Sequence, residues 1–282
     1  MLEARAITVV RRGRKLLDDV YVKVPPGRVT AIVGPNGSGK STLVKVLAGE
    51  VKPSDGDVLF DGRKLETFTA ADLARRRAMV PQAANLSFPF IVIEVIRLGA
   101  SVPGFDAITA RAHTIAEEAL LAVDLAAFRE RLYYELSGGE KQRVHIARAL
   151  CQLAAGTRGP QDSAVLLLDE PTASLDLPHQ ALVLDQARQQ AEAGRAVAVV
   201  LHDLNLAAAW ADELIILKSG RVLARGAPAA VFNDALLSEA YGCPIRTNAT
   251  PAPGTPYLLP HLLRLLPHAA RRDRRTFPSL LS

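Results

Sequence analysis

The 282 residues, 49% of them hydrophobic, suffice for one large or two modest domains with a sizeable core. The net charge of +5 sits in the tail: from Cys243 onward Arg246, Arg264, Arg271, Arg272, Arg274 and Arg275 face one acid, Asp273, so residues 1–242 are near neutral and imply no nucleic-acid face. Two cysteines, Cys151 and Cys243, make neither a disulfide framework nor a zinc pattern, and they point to a reduced, cytosolic compartment.

In chain order, AITVV and VYVKV read as strands on either side of the basic turn RRGRK, and RVTAIV is an apolar run of the buried-strand kind. It enters Gly34, and KSTLVKVLAG reads as a helix closed at Gly49. Between these lies GPNGSGKST, which fits G-x-x-x-x-G-K-[ST] over Gly34–Ser41 with a strand before and a helix after. Glycines let the backbone wrap phosphates, Lys40 reaches their outer oxygens, and the Ser41 hydroxyl suits Mg²⁺.

Beyond Gln82 the character changes. After the loop PQAANLSFPF, residues to about 135 are alanine-rich with helical periodicity, as in ITARAHTIAEEALLAVDL. After 160 strands and helices alternate again: AVLLLD, a helix over 178–191, AVAVVL, another helix, then ELIIL and RVLAR. An α/β core with a helical insert follows, without internal repeats. No stretch approaches the roughly 18 apolar residues of a membrane span, and MLEARAITVV lacks the features of a signal peptide.

AVLLLDEPTASLD places Asp169 and Glu170 at the end of a buried strand, where open α/β sheets bind ligands. One carboxylate can support a metal and the next can polarise a water. His202 ends AVAVVLH and can orient a water or contact a terminal phosphate; Gln82 in MVPQ is uninformative alone. ELSGGEKQRVHIARAL raises a separate question. Ser137 and Glu140 make a capping box, the mark of a well-made helix start. Gly138 and Gly139 are poor helix formers there, and close approach of something to the backbone explains them better.

Together these residues resemble the ATP-binding cassette (ABC) ATPases over about 1–240. GPNGSGKST stands as Walker A, PQ as Q-loop, LSGGEKQR as signature, LLLDEP as Walker B, SLD as D-loop and His202 as switch histidine. The resemblance implies an ATP-binding core with an antiparallel β region (1–82 and 160–242), a helical subdomain carrying the signature (83–159) and a Pro/Arg-rich, flexible tail (243–282). Gly34, Pro35, Asn36, Gly37, Ser38, Gly39, Lys40, Ser41 and Thr42 would hold the nucleotide. Ser41, Gln82 and Asp169 would serve Mg²⁺, with Glu170 as general base and His202 as γ-phosphate sensor.

It also implies why one chain carries two phosphate-gripping helix starts. Two subunits pack head to tail, so Ser137, Gly138 and Gly139 face the partner's ATP, and Asp176 shapes the site across the dimer. The family usually stacks an aromatic on adenine; here Arg11 or Arg12 takes that place, and a guanidinium can also stack on a base.

Weaker stretches, LSFPF, ALCQLAAGTRGPQDSAVLLLDE and LHDLNLAAAWADE, resemble importers of iron chelates, cobalamin and haem, and above all the haem importer ATPase. The implied function is ATP hydrolysis that powers haem import, with ferric siderophore or cobalamin as alternative cargo. The implied partners are a second ATPase subunit, two transmembrane permease subunits and, indirectly, a periplasmic haem-binding protein. The implied place is the cytoplasmic face of a bacterial inner membrane. A soluble ABC ATPase uncoupled from transport is the alternative of another class, but such chains usually carry two cassettes or a coiled-coil insert.

Overall fold

The computed structural model describes residues 1–82, 89–157, 159 and 162–258; residues 86–88 of the LSFPF run, three residues of the stretch before AVLLLD and the tail from 259 lie outside the described residues. The chain opens with an antiparallel hairpin, β1 (Leu2–Arg11) and β2 (Arg14–Val24), turned at Arg12 and Gly13, both with positive φ. β3 (Val29–Val33) leads through the glycine-rich loop into α1 (Lys40–Leu47), and β4 (Asp55–Phe60) and β5 (Arg63–Lys64) return to the hairpin.

α2 (Ala70–Arg76) runs into β6 (Arg77–Val80), and α3 (Val92–Arg97), α4 (Ala110–Ala122) and α5 (Gly138–Gly156) make the helical stretch. The alternation resumes with β7 (Val165–Asp169), α6 (Leu177–Glu192), β8 (Ala196–Val200), α7 (Leu204–Trp210), β9 (Glu213–Lys218) and β10 (Arg221–Gly226). Two short helices, α8 (Pro228–Val231) and α9 (Asp234–Tyr241), follow.

A four-stranded antiparallel sheet has the order β2-β1-β4-β5, and a six-stranded sheet has the order β10-β9-β3-β8-β7-β6. In the second, β9, β3, β8, β7 and β6 are parallel and β10 is antiparallel to β9. The fold is thus α/β, a mixed sheet with flanking helices, an N-terminal antiparallel sheet and an inserted run of helices. β8 is apolar throughout, and β3 and β7 depart from that only at Thr30 and the terminal Asp169, because both faces are covered, which removes any need for polar alternation.

Successive residues divide between two cores. Val29, Ala31 and Val33 pack with Val92, Ile96, Leu120 and Val144 from the helical stretch. Ile32 packs instead with Leu43 and Leu47 of α1 and with Leu2 and Val20 of the antiparallel sheet. Burying the equivalent of one such side chain is worth about 1.5–3 kcal/mol, so the sheet is held from both sides.

The helix starts carry side-chain caps: Thr109 for α4, Ser137 for α5, Asp176 for α6, Asp203 for α7 and Asn233 for α9. Past α9 the chain folds back: the Ile245 amide donates to Ser238 Oγ at 2.8 Å, and the Thr247 amide and hydroxyl both donate to Asp234 Oδ1 at 2.7 Å. Among the described residues no helix is long and apolar enough to cross a membrane.

The strand order has a chemical consequence. β6, β7, β8 and β3 are consecutive neighbours and run the same way, so their C-terminal ends form one edge. Gln82 follows β6, Asp169 and Glu170 end β7, His202 follows β8, and the glycine-rich loop follows β3.

Candidate functional site

The loop after β3 is built by close backbone approaches. Gly34 has φ +147°, and a Cβ there would stand 2.2 Å from the Leu217 carbonyl oxygen; at Gly39, φ +104°, it would stand 2.8 Å from that of Leu16. Only glycine fits either place. β9 therefore walls one side of the loop and β2 the other. Gly220 in the β9–β10 turn adds a hydrogen bond from its amide to the Ser38 carbonyl at 3.0 Å.

Lys40, 5% exposed, donates from Nζ to the carbonyls of Gly34 at 2.9 Å and Pro35 at 3.0 Å. Burial lowers its pKa, and the carboxylates of Glu170 and Asp169 oppose that shift. Ser38 Oγ is buried and has no hydrogen-bond partner among the described residues. A buried orphan hydroxyl and a desolvated ammonium in a cradle of backbone amides match the needs of a polyphosphate.

Ser41 Oγ donates to Asp169 Oδ1 at 3.1 Å. Asp169 is 1% exposed, and burial pushes its carboxyl above the ordinary range, with the Glu170 charge adding and Ser41, Lys45 and Lys40 opposing. Hydroxyl and carboxylate oxygens are hard donors that fit a small divalent cation, whose charge would compensate the buried acid.

Glu170 is gripped from two strands. Gln82 Nε2 donates to Glu170 Oε2 at 2.6 Å, and His202 Nε2 lies 2.6 Å from Oε1. Glu170 has φ +54°, a conformation uncommon outside glycine and asparagine, which turns the chain off β7 and presents the side chain at the sheet edge. Gln82, Asp169, Glu170, Lys40 and His202 thus lie along one edge. Nothing in the sequence singles out Lys45, one turn past Ser41, as a charge beside Asp169; a lysine in an amphipathic helix reads as surface.

The helix start at Ser137 carries both halves of its capping box: Ser137 Oγ accepts from the Glu140 amide at 3.3 Å, and Glu140 Oε2 accepts from the Ser137 amide at 2.7 Å. Gly139 has a reason inside the chain: a Cβ there would stand 2.7 Å from the Ser174 carbonyl oxygen. The something expected to approach the glycines closely includes this loop. Gly138 meets nothing closer than 4.0 Å and stays open. Asp176 caps α6 through the His179 amide at 3.2 Å. Arg11 lies exposed at the end of β1, paired through its backbone with Arg14.

A phosphate cradle, a buried acid beside a hydroxyl and a second acid held by glutamine and histidine define a nucleotide-hydrolysing cassette. The family model described as ABC transporter matches residues 17–173, and the chain belongs to that family as one of its ATP-binding, ATP-hydrolysing components. Among its relatives it is 45% identical over 261 residues to the hemin import ATP-binding protein HmuV of Rhizobium meliloti, covering 92% of this chain and 98% of that one. It is 48% identical over 260 residues to the protein of the same name from Chelativorans sp., with the same coverage of 92% and 98%. Among solved structures, a dimeric bacterial ABC transporter cassette matches with TM-score 0.71 and 28% identity over 81% of this chain and 99% of that one. A post-hydrolysis state of an ATP-binding cassette, dimeric and bound to ADP and Pi, matches at TM-score 0.70 and 28% identity over 81% and 99%.

Proposed function

We propose that the protein is the ATPase subunit of a haem importer, working as a homodimer on two transmembrane permease subunits at the cytoplasmic face of the membrane. A periplasmic haem-binding protein delivers the cargo on the far side. Residues 1–82 and 160–242 serve as the ATP-binding core, 83–159 as the helical subdomain and 243–282 as a tail.

The observation that carries the catalytic half is the convergence of Gln82 and His202 on Glu170, beside Lys40 and Asp169. The cargo rests on similarity to the hemin import proteins. Gly34–Thr42 cradle the phosphates, and Lys40 leaves its loop carbonyls for the β/γ oxygens. Ser41, Gln82 and Asp169 would hold Mg²⁺, which supplies charge neutralisation at the phosphates when bound. Glu170 takes a proton from the attacking water, and His202 senses the γ-phosphate.

In this structure Gln82 and His202 each contact one carboxylate oxygen of Glu170, which orients the carboxylate and leaves lone pairs for a water. Closure of two subunits would present Ser137, Gly138, Gly139 and Asp176 to the partner's ATP and move Gln82 with the helical stretch. Because Gln82 leads into the helical stretch, the same movement reaches the permease. Arg11 stacks on adenine in this reading.

The test is ATPase rate in proteoliposomes holding this subunit, its permease and the matching binding protein. Stimulation by haem, with none from a ferric siderophore or cobalamin and none in Glu170→Gln, is expected. Stimulation by another cargo overturns the haem assignment, and a wild-type rate in Glu170→Gln overturns the catalytic one.

A further inference from the structure

A second polar cluster sits where the helical stretch meets the start of α6. Asp176 Oδ1 accepts from the His179 amide and also contacts Nδ1 of the His179 ring. The other ring nitrogen, Nε2, lies 3.5 Å from Asp124 Oδ2, in the turn after α4. Asp124 has φ +56°, and its carbonyl oxygen accepts from Arg143 Nη1 of α5 at 2.6 Å, while that of Val123 accepts from the same atom at 2.8 Å. The imidazole is 15% exposed, although the carboxylates it joins are 63% and 64% exposed, so it is the enclosed member of the three.

We propose that His179 is a positioning residue whose imidazole ties Asp176 to Asp124, keeping the loop 174–176 and the signature turn of α5 in one register as they face a second copy's nucleotide. The inference rests on the shared-site reading above. Asp176 precedes α6 and belongs to the core; Asp124 is fastened by Arg143 to the helix that carries Ser137. Between them stands one side chain with a nitrogen at each end. The Ser174 carbonyl also approaches Gly139 so closely that a Cβ there would stand 2.7 Å from its oxygen, which brings the same two segments together.

The groups facing the imidazole are Asp176 from the α6 cap, Asp124 from the α4–α5 connection and, beyond them, Arg143 of α5. A neutral imidazole donates through one nitrogen, so both links are donor links only in the imidazolium form. Burial raises the Asp176 pKa, but hydrogen bonds from the His179 amide and ring outweigh it and hold the carboxyl below its ordinary range.

The test is steady-state ATPase and nucleotide affinity of the full chain assembled with its permease, for His179→Ala, His179→Asn, Asp124→Asn and the double variant His179→Ala with Asp124→Asn. His179→Ala should lower kcat about tenfold with KM changed less than about twofold, because Lys40 and its loop are untouched. His179→Asn keeps a donor near Nδ1 and should recover part of the loss. The double variant should be no slower than His179→Ala, since both changes break one link.

A kcat for His179→Ala within about twofold of wild type, or additive losses in the double variant, would overturn the inference. A purely structural role for His179 would shift the melting temperature without that pattern of non-additivity in kcat. Glu170→Gln, assayed alongside, separates the two readings. If it retains the wild-type rate, the parent reading fails; if it is inactive while His179→Ala is not impaired, only this inference fails.

Discussion

Glu170 and Asp169 are adjacent in sequence and differ in everything that matters chemically. Asp169 is sealed beneath Ser41, whereas Glu170 turns off the strand at positive φ to meet Gln82 and His202. Replacing Glu170 with glutamine should lower kcat by about 10²–10⁴-fold, the usual loss of a general base, and leave binding of a fluorescent ATP analogue intact. Asp169→Asn should show its separate signature in the stability of the nucleotide-free protein. Burial raises the Asp169 pKa in the folded state, so the folded chain keeps that proton to higher pH than the unfolded chain. Its contribution to stability is therefore present at acid pH and lost as pH rises through the raised value. Above the raised value the ionised acid destabilises the fold, and the neutral amide does not. The melting temperature of Asp169→Asn should exceed that of wild type, while hydrolysis falls. Wild type and variant melting at the same temperature at every pH from acid to alkaline would refute this.

At the scale of elements, α5 is the hinge between chemistry and packing. Its two ends are marked by glycines with different neighbours. A Cβ at Gly156 would stand 2.1 Å from the Arg75 carbonyl oxygen, where α5 crosses the end of α2; one at Gly139 would meet the Ser174 carbonyl oxygen at 2.7 Å. Gly156→Ala should destabilise the protein by about 1–3 kcal/mol, as overpacking between two backbones does. Gly139→Ala gains helix propensity at the first turn, but its Cβ overlaps the Ser174 backbone oxygen, so stability should fall as well, by less than in Gly156→Ala. It also pushes the 174–176 loop, and kcat should fall. Denaturant midpoints and ATPase rates on the same two preparations distinguish these outcomes.

At the scale of the whole molecule, the cradle of Gly34–Thr42 and the helix start at Ser137 serve different nucleotides in the proposed dimer. The full chain alone should show specific ATPase activity that rises with protein concentration, because two copies complete each site. Activity per mole independent of concentration across the range where sedimentation shows dimer dissociating would refute the shared site.

Much of this was legible without coordinates. Gly34, Lys40 and Ser41 between a buried apolar run and a helix, Asp169 and Glu170 closing another such run, and the capping box at Ser137 are patterns spanning a dozen residues or fewer. Their meaning is local, because glycine φ, strand burial and helix capping depend on near neighbours. The sequence by itself determined the glycine-rich loop before α1, the capped helix start at Ser137, the α/β alternation and the helical insert. Only the tertiary structure decided that β8 lies between β3 and β7 with β6 beyond, and so that Gln82 reaches Glu170 across 88 residues. The Ser174 carbonyl against Gly139 and the His179 link to Asp124 were likewise out of reach. Strand order and interhelical contact depend on which distant apolar faces bury each other at the lowest cost in chain entropy, and no short window of sequence records that choice.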